Sequence, residues 1–201
     1  MKMITKLSCT ALLALTLPSG VLLADVQSLA DKCDKCHGAD GNSDDGKVPN
    51  IAGMSAIYIS DTLNAYLSGD RKGVKYKPKE GDESDMEEVA SKLSEDDIEA
   101  ISEHYAGKTF QVHAQDVDAA KAAKGRKLFD KSCSKCHSEG GSVADDDAGI
   151  LLGQWKPYIK EQFELFADGS RIMGKKMRKK FNKLSDEDKA NILEFLASGK
   201  N

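Results

Sequence analysis

The chain has 201 residues, a formal net charge of −4, 31% charged residues and only 6% aromatic residues. No segment approaches the ~20 consecutive apolar residues that a transmembrane helix needs. Its one basic run, residues 175–183, is short and sits in an acidic chain, which excludes a nucleic-acid-binding signature.

Residues 1–24 read as an export signal. Lys2 and Lys6 precede an apolar run from Leu7 to Leu17, a break at Pro18-Ser19-Gly20 and a small residue at Ala24. The expected location is therefore the periplasm, with the signal removed. Cys9 falls inside the discarded segment, which leaves four cysteines in the mature chain.

All four lie in one element that occurs twice, Cys33-Asp34-Lys35-Cys36-His37 and Cys133-Ser134-Lys135-Cys136-His137, 100 residues apart. Paired C-x-x-C elements can hold a structural zinc or act as redox dithiols, but neither role requires a histidine directly after the second cysteine. Covalent haem attachment does: two cysteines on one helical turn add across the porphyrin vinyl groups and the adjacent histidine reaches the iron. The motif predicts two covalently bound haem c groups, held by Cys33, Cys36, Cys133 and Cys136, with His37 and His137 as axial iron ligands. The mature chain divides into two domains, 25–110 and 111–201, each small for a hydrophobic core alone; a buried porphyrin supplies the missing apolar volume.

After the first motif, Gly38 to Gly53 carries Asn42, Asp44, Asp45 and Pro49 and reads as a loop over the haem edge. The repeat continues beyond the motif. Ile51-Ala52-Gly53-Met54 matches Leu151-Leu152-Gly153-Gln154, Tyr58-Ile59 matches Tyr158-Ile159, and Ser68-Gly69-Asp70-Arg71 is echoed by Asp168-Gly169-Ser170-Arg171, all at an offset of 100. The offset then falls to 91, with Met86 matching Met177, Leu93-Ser94 matching Leu184-Ser185 and Ile101 matching Ile192. The first domain thus carries nine extra residues between Arg71 and Met86. Ser94 with Asp97, and Ser185 with Asp188, have capping-box spacing at the start of amphipathic last helices, buried through Ile98, Ile101 and Tyr105 in one and Ile192, Phe195 and Leu196 in the other. No stretch alternates like a strand, so the expected fold is all-α, three or four helices per half.

A sixth iron ligand is expected from methionine, the soft donor that makes a histidine-ligated haem an electron carrier of raised potential. Met86 and Met177 occupy equivalent repeat positions and are the predicted ligands. Met54 faces Gln154 in the repeat and reads as packing; Met173, four residues before Met177, is its competitor. His104 and His113 have no counterparts in the other half and read as partly solvated side chains. Tyr58, Arg71, Trp155, Tyr158 and Arg171 are candidate partners for the haem propionates, since a carboxylate in a low-dielectric pocket requires compensation.

These residues resemble the dihaem class I cytochromes c, with two tandem cytochrome c domains as in the bacterial c-four class and the haem subunit of flavocytochrome c sulfide dehydrogenase. The resemblance covers essentially the whole mature chain. Gly125 and Phe129 are similar to the family's helix-crossing contact, and Pro49 resembles the proline whose carbonyl orients the histidine ligand. Asp25 and Leu29 replace the first pair in domain one, which predicts a short first helix; Gly149 replaces the proline in domain two. Residues 137–158, the Met173 and Met177 pair, and the segment Tyr105 to Gln115 lean toward the sulfide dehydrogenase subunit.

Charge divides the halves. Residues 25–110 hold 10 basic against 19 acidic residues, and residues 111–201 hold 17 against 14. Glu80, Asp82, Glu83, Asp85, Glu87 and Glu88 surround Met86, whereas Lys175, Lys176, Arg178, Lys179, Lys180 and Lys183 surround Met177. The expected partners are redox proteins: a flavoprotein sulfide dehydrogenase subunit as donor and a mobile electron acceptor. A free c-four-type shuttle to a terminal oxidase or reductase is the alternative. A peroxidase needs an open iron, against which Met86 and Met177 argue. On each main reading the chain is a carrier or a non-catalytic subunit, not an enzyme in its own right.

Overall fold

The computed structural model describes residues 20–200. Of the expected signal segment, residues 1–19 lie outside the described residues, and residues 20–24 open the first helix. Among the described residues eight α-helices run in order: α1 (Gly20–His37), α2 (Ala56–Ser68), α3 (Met86–Ala90), α4 (Glu95–Ala106), α5 (Ala119–Ser132), α6 (Lys156–Asp168), α7 (Lys175–Phe181) and α8 (Asp186–Ala197). They form two four-helix repeats whose registers match the sequence offsets, α2 with α6 at 100 residues and α4 with α8 at 91. Among the described residues the only β pairing is two isolated bridges, so the fold is all-α.

Local chemistry sets the helix ends. Ser94 Oγ accepts from Asp97 N while Asp97 Oδ2 accepts from Ser94 N, and Ser185 with Asp188 repeats both bonds. Gly69 and Gly169, at φ 78° and 85°, end α2 and α6 in the left-handed conformation that turns the chain toward Arg71 and Arg171. The buried faces of α4 and α8 are Ile98, Ile101 and Tyr105, and Ile192, Phe195 and Leu196, as the periodicity predicts.

In each repeat the first and last helices cross. Gly125 permits the closer crossing: a Cβ there would stand 1.9 Å from Asn191 O on α8. Phe129, one turn on, is buried against Phe195 at 5.4 Å between ring centroids. The first repeat lacks this glycine and makes the crossing through Ala30, whose carbonyl accepts from Tyr105 Oη at 3.3 Å. α1 spans 18 residues, but residues 20–24 belong to the expected signal segment; counted from residue 25, eight residues precede Cys33, whereas all fourteen of α5 precede Cys133. Ala30, Leu29 and Tyr105 pack in one apolar cluster at this crossing.

The repeats meet about a pseudo-twofold axis between Arg71 and Arg171. Lys72 N donates to Ser170 O at 3.0 Å and Ile172 N to Asp70 O at 2.8 Å, bonds that exchange under the 100-residue offset. Gln154 reaches across to Asn50, Tyr158 N donates to Gly46 O at 3.0 Å, and Trp155 Nε1 donates to Ser43 O at 2.9 Å.

Candidate haem sites

In the first repeat, Cys33, Cys36 and His37 stand on one face of the last turns of α1, because positions i, i+3 and i+4 are neighbours on a helix. They line a cleft of ≈ 1290 Å³, its mouth included. Its apolar wall includes Ile51, Ile59, Leu63, Val89 and Ile101, and both Met54 and Met86 border it. His37 is buried and its Nδ1 lies 2.9 Å from Pro49 O. A carbonyl can only accept, so Nδ1 carries the proton and Nε2 keeps its lone pair for a metal. Burial lowers the pKa of His37, which favours that neutral form.

The environment of the cysteines does not favour a redox dithiol. Burial pushes the Cys33 thiol up to about 11 and the Cys133 thiol up to about 11, opposite to the lowering that reactive cysteines show. Among the described residues no group of three or more His, Cys, Asp or Glu side chains is gathered as a metal cage, which removes the donor set that a structural zinc requires. Free cysteines, a histidine with its outer nitrogen satisfied and an apolar cleft beside them fit a covalent haem.

The second site is built differently. α5 ends at Ser132, and residues 133–137 form tight turns in which Cys136 N and His137 N both donate to Cys133 O at 3.0 Å. The cysteines of each motif thus share one turn, within α1 in the first repeat and just past the end of α5 in the second. His137 Nδ1 is buried without a hydrogen-bond partner. At the position equivalent to Pro49 stands Gly149, at φ +74°, a conformation closed to proline. Tyr58 of the first repeat packs there so closely that a Cβ would stand 2.6 Å from its Cζ. The domain contact, not the histidine, determines the residue. Met173 is buried at 7% exposure, while Met177 on α7 is 38% exposed.

Four of the five proposed propionate partners converge where the domains meet. Arg71, 5% exposed, donates to Tyr158 Oη at 2.9 Å and to Gln162 Oε1 at 3.1 Å, and Arg171 donates to Gln162 Oε1 at 2.8 Å. Each guanidinium also lies over an aromatic ring, Arg71 over Tyr66 at 4.8 Å and Arg171 over Phe166 at 4.6 Å. Burial would raise the Tyr58 phenol, yet the charges of Arg171 and Arg71 bring it down to about 8. Arg71 Nε remains buried without a partner, and Arg71 lines the first cleft together with Tyr158, Gln162 and Leu165 of the second repeat. A buried, under-satisfied guanidinium at the rim of the cleft suits a carboxylate.

Trp155 lies elsewhere in the interface. Its single N–H is committed to Ser43 O and its ring stacks on His113, with centroids 4.7 Å apart. His104 sits near the end of α4, edge-on to Tyr105. Two participants escaped the sequence reading. Gln162, the acceptor between the two arginines, is a polar residue on the buried face of α6, and that position in the helical period was the available signal. Tyr76 lies in the nine-residue insertion and lines the first cleft.

Comparison with known proteins agrees with this geometry. The family model for cytochrome c matches twice, over residues 23–105 and 122–200. Cytochrome c4 of Pseudomonas aeruginosa is 28% identical over 182 residues, covering 85% of each chain. Cytochrome c4 of Stutzerimonas stutzeri is 31% identical over 153 residues, 69% of each chain. The crystal structure of reduced recombinant cytochrome c4 from Pseudomonas stutzeri superposes with a TM-score of 0.71 at 27% identity, covering 87% of this chain and 97% of that one.

Proposed function

Because the chain belongs to the cytochrome c family, as a dihaem class I cytochrome of the c4 group that carries two covalently bound haem c groups, we propose that it is a free electron shuttle of the periplasm. Bound haem supplies reversible one-electron chemistry at iron. The observation that carries the reading is the first cleft, which is lined by Cys33, Cys36 and His37 at one side and by Arg71 and the second repeat's Tyr158 and Gln162 at another. One site therefore abuts the other domain, as transfer within one molecule requires.

In this reading Cys33, Cys36, Cys133 and Cys136 hold the two groups, and His37 and His137 ligate iron. Met86 completes the first site from the N-terminus of α3. In the second, repeat register favours Met177 and burial favours Met173. Arg71, Arg171, Tyr58 and Tyr158 hold the propionates, and the domains are 25–110 and 111–201. With a histidine and a methionine to hold each iron, a bound haem would supply one-electron transfer without a substrate on the metal.

The flavoprotein-bound subunit expected from residues 137–158 is the second reading, since the two curated relatives compared above, matched over 85% and 69% of the chain, are cytochromes c4. Affinity capture of the haem-loaded protein from its own periplasm separates the two. A free shuttle elutes alone or with substoichiometric companions lost in salt; recovery of a stoichiometric partner with flavin absorbance overturns it.

A further inference from the structure

The carbonyl that orients His37 belongs to the peptide unit joining Pro49 to Asn50. On one side of this planar unit Pro49 O accepts from His37 Nδ1 at 2.9 Å; on the other, Asn50 N donates to Gln154 Oε1 of the second repeat, also at 2.9 Å. A continuous chain of hydrogen bonds therefore runs from the histidine through one peptide to a side chain of the other domain. Asn50 and Gln154 are both buried, and in such a setting each bond of a chain polarises the next, which makes the Pro49 carbonyl a better acceptor. Gln154 Nε2 closes a second bond on Asn50 O, so the amide grips the backbone on both sides of the Asn50 Cα. The linker between the domains holds the same loop from another edge: Asn50 Nδ2 donates to Gln111 O at 2.9 Å, Gln111 N to Asn42 Oδ1 at 2.8 Å and Asn42 Nδ2 to Thr109 O at 3.0 Å.

The pseudo-twofold relation does not return this grip. At the 100-residue offset Gly149 and Ile150 replace Pro49 and Asn50, and Met54 replaces Gln154. Met54 and Ile150 pack in one apolar cluster instead. A thioether has no N–H to donate and is a weak acceptor, so it can neither fix nor polarise a peptide as an amide does. His137 Nδ1 correspondingly has no partner.

We infer that Gln154 is a positioning residue for the haem of the other domain: by fixing and polarising the Pro49–Asn50 peptide it sets the reduction potential of the haem that His37 holds, and Met54 exerts no such control in return. The sign follows from the ligand. A stronger bond at Nδ1 makes the imidazole more basic and stabilises oxidised iron, so loosening the peptide raises the potential. The inference rests on the electron-carrier reading and on its assignment of His37 to iron.

A spectroelectrochemical titration of the full haem-loaded chain tests it in two variants. Gln154→Met installs the residue of the first repeat, and Gln154→Asn keeps an amide one methylene too short to reach Asn50; the milder Asn variant carries the test if the Met variant fails to load haem. In each, one wave should move up while the other stays, and it should be the wave that Pro49→Gly moves. Exchange of the His37 Nδ1 proton in the reduced protein, followed by NMR, should quicken by about 10-fold or more in the Met variant, as loss of one buried hydrogen bond implies. Trp155→Phe is the control, since it cuts the interdomain bond to Ser43 O and leaves Gln154 in place. It should lower stability with both waves and the exchange rate unchanged. Waves that stay put in the Gln154 variants, waves that move together, or an equal shift in Trp155→Phe overturn the positioning role. A parent without reversible one-electron waves overturns the electron-carrier reading instead.

Discussion

Gln154 of the second repeat and Asn50 of the first are joined by reciprocal hydrogen bonds: Asn50 N donates to Gln154 Oε1 and Gln154 Nε2 donates to Asn50 O, each at 2.9 Å. Both residues are fully buried. Asn50 follows Pro49, whose carbonyl accepts from His37, so a side chain of one domain pins the backbone that orients the histidine of the other.

Gln154→Met, which installs the residue found at the equivalent position of the first repeat, leaves the buried Asn50 N–H and C=O without these partners. A loss of about 2–4 kcal/mol is expected from two unsatisfied buried groups. Denaturant unfolding measures it.

The two histidines predict unequal sites. A hydrogen bond at Nδ1 raises the basicity of a metal-bound imidazole and stabilises the oxidised metal. Pro49→Gly frees the backbone that aims the carbonyl at His37, so one of the two waves in a redox titration should move up while the other stays. Gly149→Ala in the second repeat meets Tyr58 and the positive φ instead, and should destabilise the protein by about 1–3 kcal/mol.

The sixth ligands are read by carbon monoxide. Met86→Ala should open one iron and admit the gas, visible as a shifted Soret band. Of Met173→Ala and Met177→Ala, only one should open the second; binding in the Met173 variant alone assigns the buried residue.

The hairpin 72–85, closed by reciprocal bonds between Tyr76 and Ser84, should respond to acid. Hydrogen bonds and the charges of Lys75 and Lys79 hold Asp44, Asp85 and Glu88 below the usual carboxylate range. A depressed folded pKa gives a contribution that is complete above the ordinary carboxylate values and is lost as pH falls through the depressed ones. Amide chemical shifts of Tyr76 and Ser84 should hold steady down to about pH 4 and move below it. Movement between pH 5 and 7 would contradict the ion-pair account.

Local patterns carried much of the fold. The offsets of 100 and 91 residues reappear as superposable helices, both capping boxes form, and Gly125 lies where two backbones touch. What escaped depends on contacts between positions about 100 residues apart. Gln154 read only as a mismatch to Met54, yet its bonds reach the other domain. Gly149 read as a departure at the histidine, although Tyr58 is what requires it. Gln162 looked like one polar residue in α6 until Arg71 and Arg171 were seen to share it. Periodicity reports which face of a helix is buried, not which partner covers it.

A spectroelectrochemical titration of the purified holoprotein, with its intact mass determined on the same sample, tests the central claim most directly. The account predicts a mass increase of two haem groups and two one-electron waves, with both irons six-coordinate and low-spin in either redox state. A single attached haem, or a resting protein with a five-coordinate high-spin iron, would contradict it.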